Sequence, residues 1–415
     1  MADYGAIPEY DVAVVGGGMV GASFALALAQ TPLRVVLIES VAPASRAHPS
    51  FDERTTALGN ASRRIFHALG IWERIAPHAS AIGAIHISDA GRFGFARLDA
   101  REQGVEAFGY VAPNRIIGAA LWERLGELPR IERRVPARLE AIDIGSERVA
   151  LTLDAGGIEH LSARLVVAAD GADSQVRRAA GIDARVKEYD QVALVANVSA
   201  DRPHDGTAYE RFTAAGPIAL LPLAGGGYTA VWARSPAEAQ EALALADGAF
   251  LHELQRHFGW RAGRLMRAGR RGSYRLSLTR AATTVGSRSV LIGNAAQALH
   301  PVAGQGFNLG LRDAAVLAEV LADTRSSTGG VVTDPGSPEV LERFARERAA
   351  DRRGVVGFTD GLVRLFGDSR RPVGLARNLG LLLFDLAPPA KSALARVSTG
   401  FGGRTPRLAR GLEIK

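Results

Sequence analysis

A glycine-rich turn near the N-terminus contains the first residues whose types and spacing could do chemistry. In "VVGGGMVG", Gly16, Gly18 and Gly21 stand in G-x-G-x-x-G register between an apolar run and an Ala/Leu-rich segment. Such glycines permit a tight turn, let the backbone reach a pyrophosphate and let a helix pack closely on a strand. Glu39 ends the next apolar run, about 20 residues on, where an acid binds a ribose 2′-OH. The pattern predicts FAD or NAD binding; the alternative is an ordinary turn with a solvated acid.

A second segment, "RLVVAADGADSQVRRAAGI", repeats the order of strand, turn and helix in the middle of the chain. A buried strand ends at Asp170-Gly171, and Asp173 and Ser174 are suited to cap the helix that follows. Taken alone, the segment is consistent with a capped helix or with part of a ligand site.

A third segment places several glycines directly before a helix. The strand "SVLIGNAA" turns at Gly293-Asn294, and "HPVAGQGFNLG" then brings His300, Pro301, Gly304 and Gly306 ahead of a helix beginning near 307–308. Glycine here indicates backbone that approaches something other than protein. The alternative is a plain glycine-rich turn, and for His300 we favour a structural role because no base or metal partner is visible.

The elements that must position these residues follow from hydrophobic periodicity. Tyr10–Val15 and Arg34–Ser40 read as parallel strands flanking a helix, and 82–111 and 191–228 are rich in short strands. Helices are expected at Ala61–Leu69, Asn114–Leu128 and Pro236–His257, "SYRLSLT" is a further strand, and the chain after a polar loop at 322–338 is helical.

This alternation predicts an α/β fold: a Rossmann-like FAD-binding domain with a parallel sheet, intertwined with a β-rich substrate domain, plus C-terminal helices. The expected FAD-binding domain is discontinuous, comprising residues 1–75, 112–185 and 280–330. The expected substrate domain comprises 76–111 and 186–279, and the C-terminal helical region comprises 331–415.

Composition narrows the possible chemistry. The 415 residues include no cysteine, which excludes a disulfide framework, thiolate catalysis and cysteine-bound metal, and we predict no metal site. The net charge of +7 comes from scattered arginines, and only 6% of residues are aromatic. We therefore expect no nucleic-acid partner, although a basic nucleic-acid binder stays as an alternative.

The N-terminus lacks the basic region of a signal peptide, and no stretch is apolar enough to span a bilayer. These features predict a cytoplasmic protein, with peripheral attachment to the inner face of the membrane as an open possibility. The segment 358–397 pairs apolar runs with arginines, which is consistent with contact to a membrane surface or with packing on the core.

Together the three segments resemble the flavoprotein aromatic hydroxylases of the para-hydroxybenzoate hydroxylase type, with their "DG" motif and their "GD" motif followed by "HP…G.G.N". The resemblance covers nearly the whole chain. "FDERTTALGNASRRIFHALGIW" and "NAAQALHPVAGQGFNLGLRD" are most similar to the ubiquinone-biosynthesis branch, the 2-polyprenyl-6-methoxyphenol hydroxylases. One position departs from the wider family, because Asn294 stands where that family has aspartate.

The resemblance implies FAD as the cofactor and a set of residues around it. Those implied to bind FAD are Gly16, Gly18, Gly21, Glu39, Ser40, Arg54, Arg115, Asp170, Gly171, Gly293, Asn294, Gly304, Gln305, Gly306, Phe307 and Asn308. Those implied to form the loop against the flavin ring are His300, Pro301, Gly304 and Gly306, with no acid or base assigned. Surface positions remain the alternative for Arg54 and Arg115.

The resemblance also implies the reaction. NAD(P)H would bind transiently as reductant, and O₂ would form a flavin C4a-hydroperoxide that hydroxylates the ring of a lipid-tailed phenol. Other ubiquinone-biosynthesis proteins are expected as possible partners. The alternatives are a related hydroxylase of a small soluble aromatic and a non-catalytic flavin-binding subunit of a biosynthetic complex.

Overall fold

The computed structural model describes residues 7–43, 45, 54–326, 334–367 and 370–414, so part of the expected loop at 322–338 lies outside these residues. The strands are β1 (Glu9–Val15), β2 (Val35–Ile38), β3 (Thr55–Gly59), β4 (Ser80–Ile82), β5 (Ala84–Asp89), β6 (Phe95–Asp99), β7 (Gly109–Pro113), β8 (Ile131–Arg134), β9 (Arg138–Ile144), β10 (Val149–Asp154), β11 (Ile158–Ala168), β12 (Ala184–Ala200), β13 (Thr207–Thr213), β14 (Gly216–Pro222), β15 (Tyr228–Arg234), β16 (Leu265–Ala281), β17 (Val285–Gly286), β18 (Ser289–Leu291) and β19 (Gln297–Ala298). The helices are α1 (Met19–Leu28), α2 (Asn60–Ala68), α3 (Trp72–Ile75), α4 (Asn114–Gly126), α5 (Gln175–Ala179), α6 (Pro236–Ala244), α7 (Asp247–Phe258), α8 (Gln305–Ser326), α9 (Pro338–Gly367), α10 (Arg371–Asp385) and α11 (Pro388–Ser398).

The first sheet has β1 near its centre, in the order β17-β18-β11-β1-β2-β8, and β10 and β9 extend it from β11. Strands β18, β11, β1, β2 and β8 are parallel. Both faces of β1 are buried: Val12 and Val14 pack with residues of α1, α4 and α8, while Ala13 and Val15 pack with residues of β9, β10 and α5. This double cover is typical of parallel sheets, and the predicted α/β fold is confirmed.

The second sheet has the order β19-β16-β12-β15-β14-β13-β5-β6. Its pairs are antiparallel except that between β13 and β5. Helices α6 and α7 pack on one face, where Leu194, Ile218 and Trp232 meet Phe250 and Leu254. A third sheet, β3-β7-β4, completes the fold.

The expected single helix over Pro236–His257 is wrong, because the chain forms α6 and α7 with extended backbone between them. Leu245 and Ala246 have ψ angles of 146° and 155°. The guanidinium of Arg271, on β16, donates to the Leu245 carbonyl at 2.5 Å and to Asp247 Oδ1 at 2.5 Å. Ser235 forms a capping box that starts α6, and Asp247 lies in the first turn of α7.

The predicted C-terminal helices are present and are held by buried ion pairs. Arg348 on α9 contacts Asp313 on α8 at 2.6 Å, and both side chains are fully buried. Arg377 on α10 contacts Asp89, at the end of β5, also at 2.6 Å. Helix α8 therefore has a fixed position between the first sheet and the later helices.

Candidate cofactor and substrate site

The three glycine-containing segments meet at one edge of the first sheet. Ile38, Val15, Ala168 and Leu291, the last residues of β2, β1, β11 and β18, form one continuous row across the parallel strands. The loops that follow these strands therefore leave from the same edge, where ligands bind in open parallel sheets.

The first glycine turn is shaped by close backbone contacts. Gly16 has φ +102°, and a Cβ there would lie 2.8 Å from the Asp170 nitrogen, so the turn packs directly against the second segment. A Cβ at Gly21 would collide with the Gly16 carbonyl. Gly18 is the N-cap of α1, which has no side-chain cap and no acid in its first turn. The helix N–H groups at this end are suited to an anionic ligand.

Glu39 is directed at the same turn. Its Oε2 accepts a hydrogen bond from the Gly17 N–H at 2.6 Å, and its Oε1 accepts bonds from the Val41 N–H at 2.8 Å and the Ser40 hydroxyl at 3.3 Å. The Trp122 indole donates to the Gly17 carbonyl at 3.1 Å. A Cβ at Gly17 would lie 2.6 Å from the Trp122 ring, so Gly17 also requires glycine, a requirement that the G-x-G-x-x-G register does not reveal.

Asp170 caps α5 with one carboxylate oxygen and leaves the other available. Oδ2 accepts from the N–H groups of Gln175 and Val176, at 2.8 and 3.2 Å, and Ser174 caps the same helix. Oδ1 is buried and has no hydrogen-bond partner among the described residues. Such an oxygen is costly unless a ligand donor reaches it. Beside it, the α-carbon of Gly171 faces open space.

Gly293 and Asn294 form a short 3₁₀ turn at the end of β18. A Cβ at Gly293 would approach Val20 of α1 to 3.2 Å, so the third segment packs on the first. The Asn294 side chain is exposed at the edge, while the carbonyl of the next residue, Ala295, is held by the buried Arg177 at 3.0 Å.

In the loop 300–304, His300 and Val302 are buried, and Pro301 and Gly304 are half-buried. His300 is 1% exposed, and its Nδ1 accepts the Val302 N–H at 3.1 Å, so the ring proton lies on Nε2. Burial lowers the pKa of His300 to about 4, so the ring is neutral at physiological pH. Pro301 precedes a 3₁₀ turn at Val302–Gly304, and Gly304 has φ +58°. The structural role predicted for His300 fits these contacts, and no described acid or base pairs with its ring.

Helix α8 begins at Gln305, two residues before the expected start, with no acid in its first turn. A Cβ at Gly306 would have only Leu299 as a neighbour, at 3.9 Å, so the protein itself does not require glycine there. Phe307 packs on Phe66 with ring centroids 6.0 Å apart, and Gln305 is buried.

The Asn308 side chain links the start of α8 to the β3–α2 connection by hydrogen bonds. Its Oδ1 accepts from Gly59 N–H at 2.8 Å and Ser62 hydroxyl at 2.7 Å, and its Nδ2 donates to the Ala57 and Gly304 carbonyls, each at 2.8 Å. These bonds use the whole capacity of the amide. Its side chain therefore positions the loop rather than facing a ligand.

The two arginines implied by resemblance differ in placement. Arg54 is partly buried, with its guanidinium 5.5 Å from the centre of the Tyr274 ring and its carbonyl accepting the Asn114 N–H at 2.8 Å. Arg115, the second residue of α4, is exposed.

The residues at this edge fit FAD on their chemistry. The N-termini of α1 and α8 have no acid in their first turns. Their main-chain N–H groups would suit a long anionic and redox-active ligand. The unpartnered oxygen of Asp170 supplies an acceptor for a hydroxyl, and Glu39 supplies another carboxylate at the end of β2.

A large apolar cavity, which sequence reasoning did not find, begins at the same loop. Its volume is about 810 Å³, and Val302, Gln305 and Asn308 line one end. Leu365, Ala376 and Gly380, which line the other end, are exposed at the surface of α9 and α10. The walls come from β3, β5, β13 and the C-terminal helices, which are distant in sequence. Most of the lining side chains are apolar, and Glu210 of β13 is the one carboxylate among the described lining residues.

Comparison with known proteins gives a consistent result over nearly the full chain. The family model described as "FAD binding domain" matches residues 9–359. "Ubiquinone hydroxylase UbiL" of Rhodospirillum rubrum is 38% identical over 407 residues, covering 97% of this chain and 93% of the relative. "3-demethoxyubiquinol 3-hydroxylase" of Escherichia coli is 32% identical over 393 residues, covering 94% and 98%.

Solved structures show the same fold. p-Nitrophenol 4-monooxygenase PnpA from Pseudomonas putida DLL-E4 matches with a TM-score of 0.77, covering 96% of this chain and 100% of that chain at 21% identity. PqsL of Pseudomonas aeruginosa, in complex with 2-aminobenzoylacetate, matches with a TM-score of 0.74 over 89% and 100%, also at 21% identity.

Proposed function

This chain belongs to the FAD binding domain family, in the branch that contains the ubiquinone hydroxylases, and on that premise we propose that it is an FAD-dependent monooxygenase acting on ubiquinone precursors. Its substrate is the ring of a polyprenylated methoxyphenol. The observation that carries the substrate class is the apolar cavity of about 810 Å³, which extends from the 300–308 loop to the surface. A small soluble aromatic needs no such length, which disfavours that alternative.

The proposed FAD site uses the sheet edge described above. The residues assigned to it are Gly16, Gly18, Gly21, Glu39, Ser40, Arg54, Arg115, Asp170, Gly171, Gly293, Asn294, Gly304, Gln305, Gly306, Phe307 and Asn308. Side-chain contacts are assigned to Glu39 and Asp170, whereas Asn308 and Phe307 act by positioning the loop.

Bound FAD supplies the redox chemistry, taking hydride from NAD(P)H and activating O₂. The chain orients the phenol in the apolar cavity and keeps water from it. The N-terminus of α8 favours negative charge nearby by about 0.3–1 kcal/mol, rising to about 2 where partly buried. His300, Pro301, Gly304 and Gly306 give a flat, neutral wall to this part of the site.

We assign the FAD domain to 1–75, 112–185 and 280–330, the substrate domain to 76–111 and 186–279, and the C-terminal helical region to 331–415. The strands of the parallel sheet all come from the first set, and most strands of the second sheet come from the second set, which supports the division.

Membrane contact forms part of the proposal, and α10 supports it. In the described residues, no helix is both long and apolar enough to cross a bilayer. Yet α10 exposes Leu375, Leu379 and Leu383, at 61%, 53% and 59%, and buries Arg377 and Asn378. This helix, which exposes apolar residues and buries polar ones, also lines the cavity. A leucine face there suits a lipid surface from which a lipid-tailed substrate enters.

The surroundings of α10 favour an anionic membrane. Phe93 and Trp260, 62% and 67% exposed, line one surface depression with Leu375, Arg92 and Arg261. Aromatic rings and arginines are typical of the membrane interface, and the net charge of +7 attracts anionic headgroups.

Membrane contact is tested by sedimentation with vesicles of phosphatidylethanolamine and phosphatidylglycerol. Leu379→Asp with Leu383→Asp should weaken binding more than tenfold, since each buried leucine contributes about 1.5–3 kcal/mol. Leu412→Asp, at another exposed leucine, is the matched control. If wild type does not sediment with the vesicles, membrane contact is overturned. Equal binding by wild type and the double variant would overturn the role of α10 in that contact.

The activity is tested with purified protein reconstituted with FAD. A prenylated 2-methoxyphenol should stimulate NADH or NADPH oxidation, and the product should contain one oxygen atom from ¹⁸O₂. Stimulation by small benzoates alone would favour a hydroxylase of soluble aromatics. Oxidation of NAD(P)H that never labels a phenol would count against any hydroxylase. Deleting the gene should cause a ubiquinone precursor to accumulate.

A further inference from the structure

Glu210 occupies an unusual position for an ionisable residue. It lies in the middle of β13, next to Ala219 of β14 and Ile87 of β5. Its neighbours on the same face of β13, Ala208 and Phe212, are buried. The carboxylate therefore projects into the substrate cavity from a rigid, fully paired strand.

Two cavities meet at Glu210. It lines the large apolar cavity together with Val302 and Phe212, and it lines a smaller one together with His300, Pro301 and Gly304. The same carboxylate thus faces both the proposed path of the lipid tail and the loop assigned to the flavin ring.

No described residue pairs with the negative charge of the Glu210 carboxylate. Within the described ranges, no residue forms a hydrogen bond or ion pair with the Glu210 carboxylate, and burial alone raises its pKa to about 7. Arg377, the other charged residue lining the large cavity, is bound to Asp89 at 2.6 Å. The Glu210 side chain is half-buried in the cavity wall. A carboxylate without a partner in such apolar surroundings costs stability, so a structural role does not explain it.

We propose that Glu210 binds the phenol hydroxyl of the substrate and accepts its proton. This inference rests on the proposed function and deepens it by naming the group that orients and activates the ring. The one carboxylate in a largely apolar cavity favours the orientation in which the phenol end of an otherwise lipid-like molecule lies at the 300–304 loop.

The proton transfer balances without any further reagent. The phenol O–H bond breaks, a carboxyl O–H bond forms, and the electron pair remains on the phenolic oxygen. That charge delocalises into the ring and makes the ortho and para carbons more reactive toward an electrophilic oxygen. When the product regains its aromatic ring, the carbon that received the oxygen releases its hydrogen as a proton to water. The phenolic oxygen takes its own proton back from Glu210.

The test compares wild type with Glu210→Gln and Glu210→Asp, with Glu241→Gln on the exposed face of α6 as the matched control. For Glu210→Gln, kcat should fall by about 10²–10⁴-fold, as when a general base is removed. The acidic limb of the pH profile of kcat/KM should also disappear. Glu210→Asp should keep that limb with a smaller loss, and Glu241→Gln should match wild type.

A second measurement does not depend on turnover. Bound 4-nitrophenol should show its visible phenolate band at neutral pH in wild type and Glu210→Asp, but not in Glu210→Gln. Flavin content and circular dichroism confirm that each variant is folded.

The outcomes separate this inference from the proposed function. If wild type hydroxylates phenols and Glu210→Gln keeps its rate and pH profile, the role of Glu210 is overturned while the function stands. If wild type hydroxylates nothing, the function fails, and the 4-nitrophenol spectra then decide on Glu210. Equal spectra in wild type and Glu210→Gln would overturn its role as proton acceptor.

Discussion

At the scale of single residues, burial sets the charge of the ionisable groups around the 300–304 loop. His300 is held neutral because desolvation lowers its pKa to about 4, and Glu210 is held largely protonated below neutral pH because desolvation raises its pKa to about 7. Asp170 differs, since it uses one oxygen to cap α5 and keeps the other unpartnered.

The raised pKa of Glu210 predicts how stability depends on pH. A carboxyl whose pKa rises from 4.5 to about 7 on folding binds a proton more tightly in the folded state, so stability falls as pH increases between these values. Glu210→Gln removes this loss. In urea unfolding it should match wild type near pH 4 and exceed it by about 1–3 kcal/mol at pH 8. A difference independent of pH would contradict the explanation.

A second residue-scale prediction concerns Gly18. Its φ of −61° tolerates a side chain, and aspartate is a favourable N-cap, so Gly18→Asp should leave α1 folded. The new carboxylate would occupy the α1 N–H groups and repel the pyrophosphate. The purified variant should therefore lose the yellow flavin absorbance of wild type. Gly248→Asp, at an exposed position of α7, should remain yellow.

At the scale of elements, helix α10 is held by an ion pair and hydrogen bonds of its buried polar residues, where apolar packing would be expected. Arg377 Nη2 and Nε contact Asp89 Oδ2 at 2.6 and 2.9 Å, and Asn378 accepts the Gly94 N–H at 2.8 Å. Because the polar face is buried, the leucine face is left at the surface. The buried polar contacts and the exposed leucine face depend on each other, because rotating the helix to bury the leucines would break the contacts of Arg377 and Asn378.

Arg377→Ala should leave Asp89 buried without its main partner. Breaking a buried ion pair from one side costs about 3–5 kcal/mol, and we expect the loss to appear as early unfolding and proteolysis of the C-terminal helices. Removing both partners, Asp89→Ala with Arg377→Ala, should be less harmful than the sum of the single changes. Arg364→Ala, which removes a 70% exposed cation of α9, should change stability by less than about 0.5 kcal/mol.

At the scale of the whole molecule, the proposed FAD site joins segments far apart in the chain. The turn at Gly16, the end of β11 at Asp170 and the turn at Gly293 share one sheet edge, and α8 is pinned to the C-terminal helices by Arg348 and Asp313. A ligand across this edge contacts several units at once, so its binding energy adds to the stability of the assembled fold.

FAD should therefore stabilise the entire chain in proportion to its occupancy. At a free concentration of 100 times Kd, the added free energy is about 2.7 kcal/mol, and the midpoint of thermal unfolding should rise with FAD concentration. Limited proteolysis should slow in parallel. Gly18→Asp should show neither response, and a wild-type midpoint indifferent to FAD would contradict the proposed site.

Much of the proposed cofactor site could be predicted from the sequence because its requirements are local. Gly16, Gly18 and Gly21 follow from the backbone that a tight strand-to-helix turn needs, and the apolar runs of β1, β2, β11 and β18 identify a buried parallel sheet. Each of these features is contained within a short stretch of the chain, so the sequence by itself determined the α/β fold, and with the family resemblance it indicated FAD.

The substrate cavity and α10 were decided only by tertiary structure. In "AYERFTAAG", Glu210 looks like the solvent-facing residue of an alternating strand. Its place in the cavity wall depends on β5 and on the C-terminal helices that also line the cavity. The break between α6 and α7 likewise depends on Arg271, which comes from a different strand. Periodicity reports that a segment has two faces, whereas the partner that covers each face is set by contacts between residues far apart in the chain.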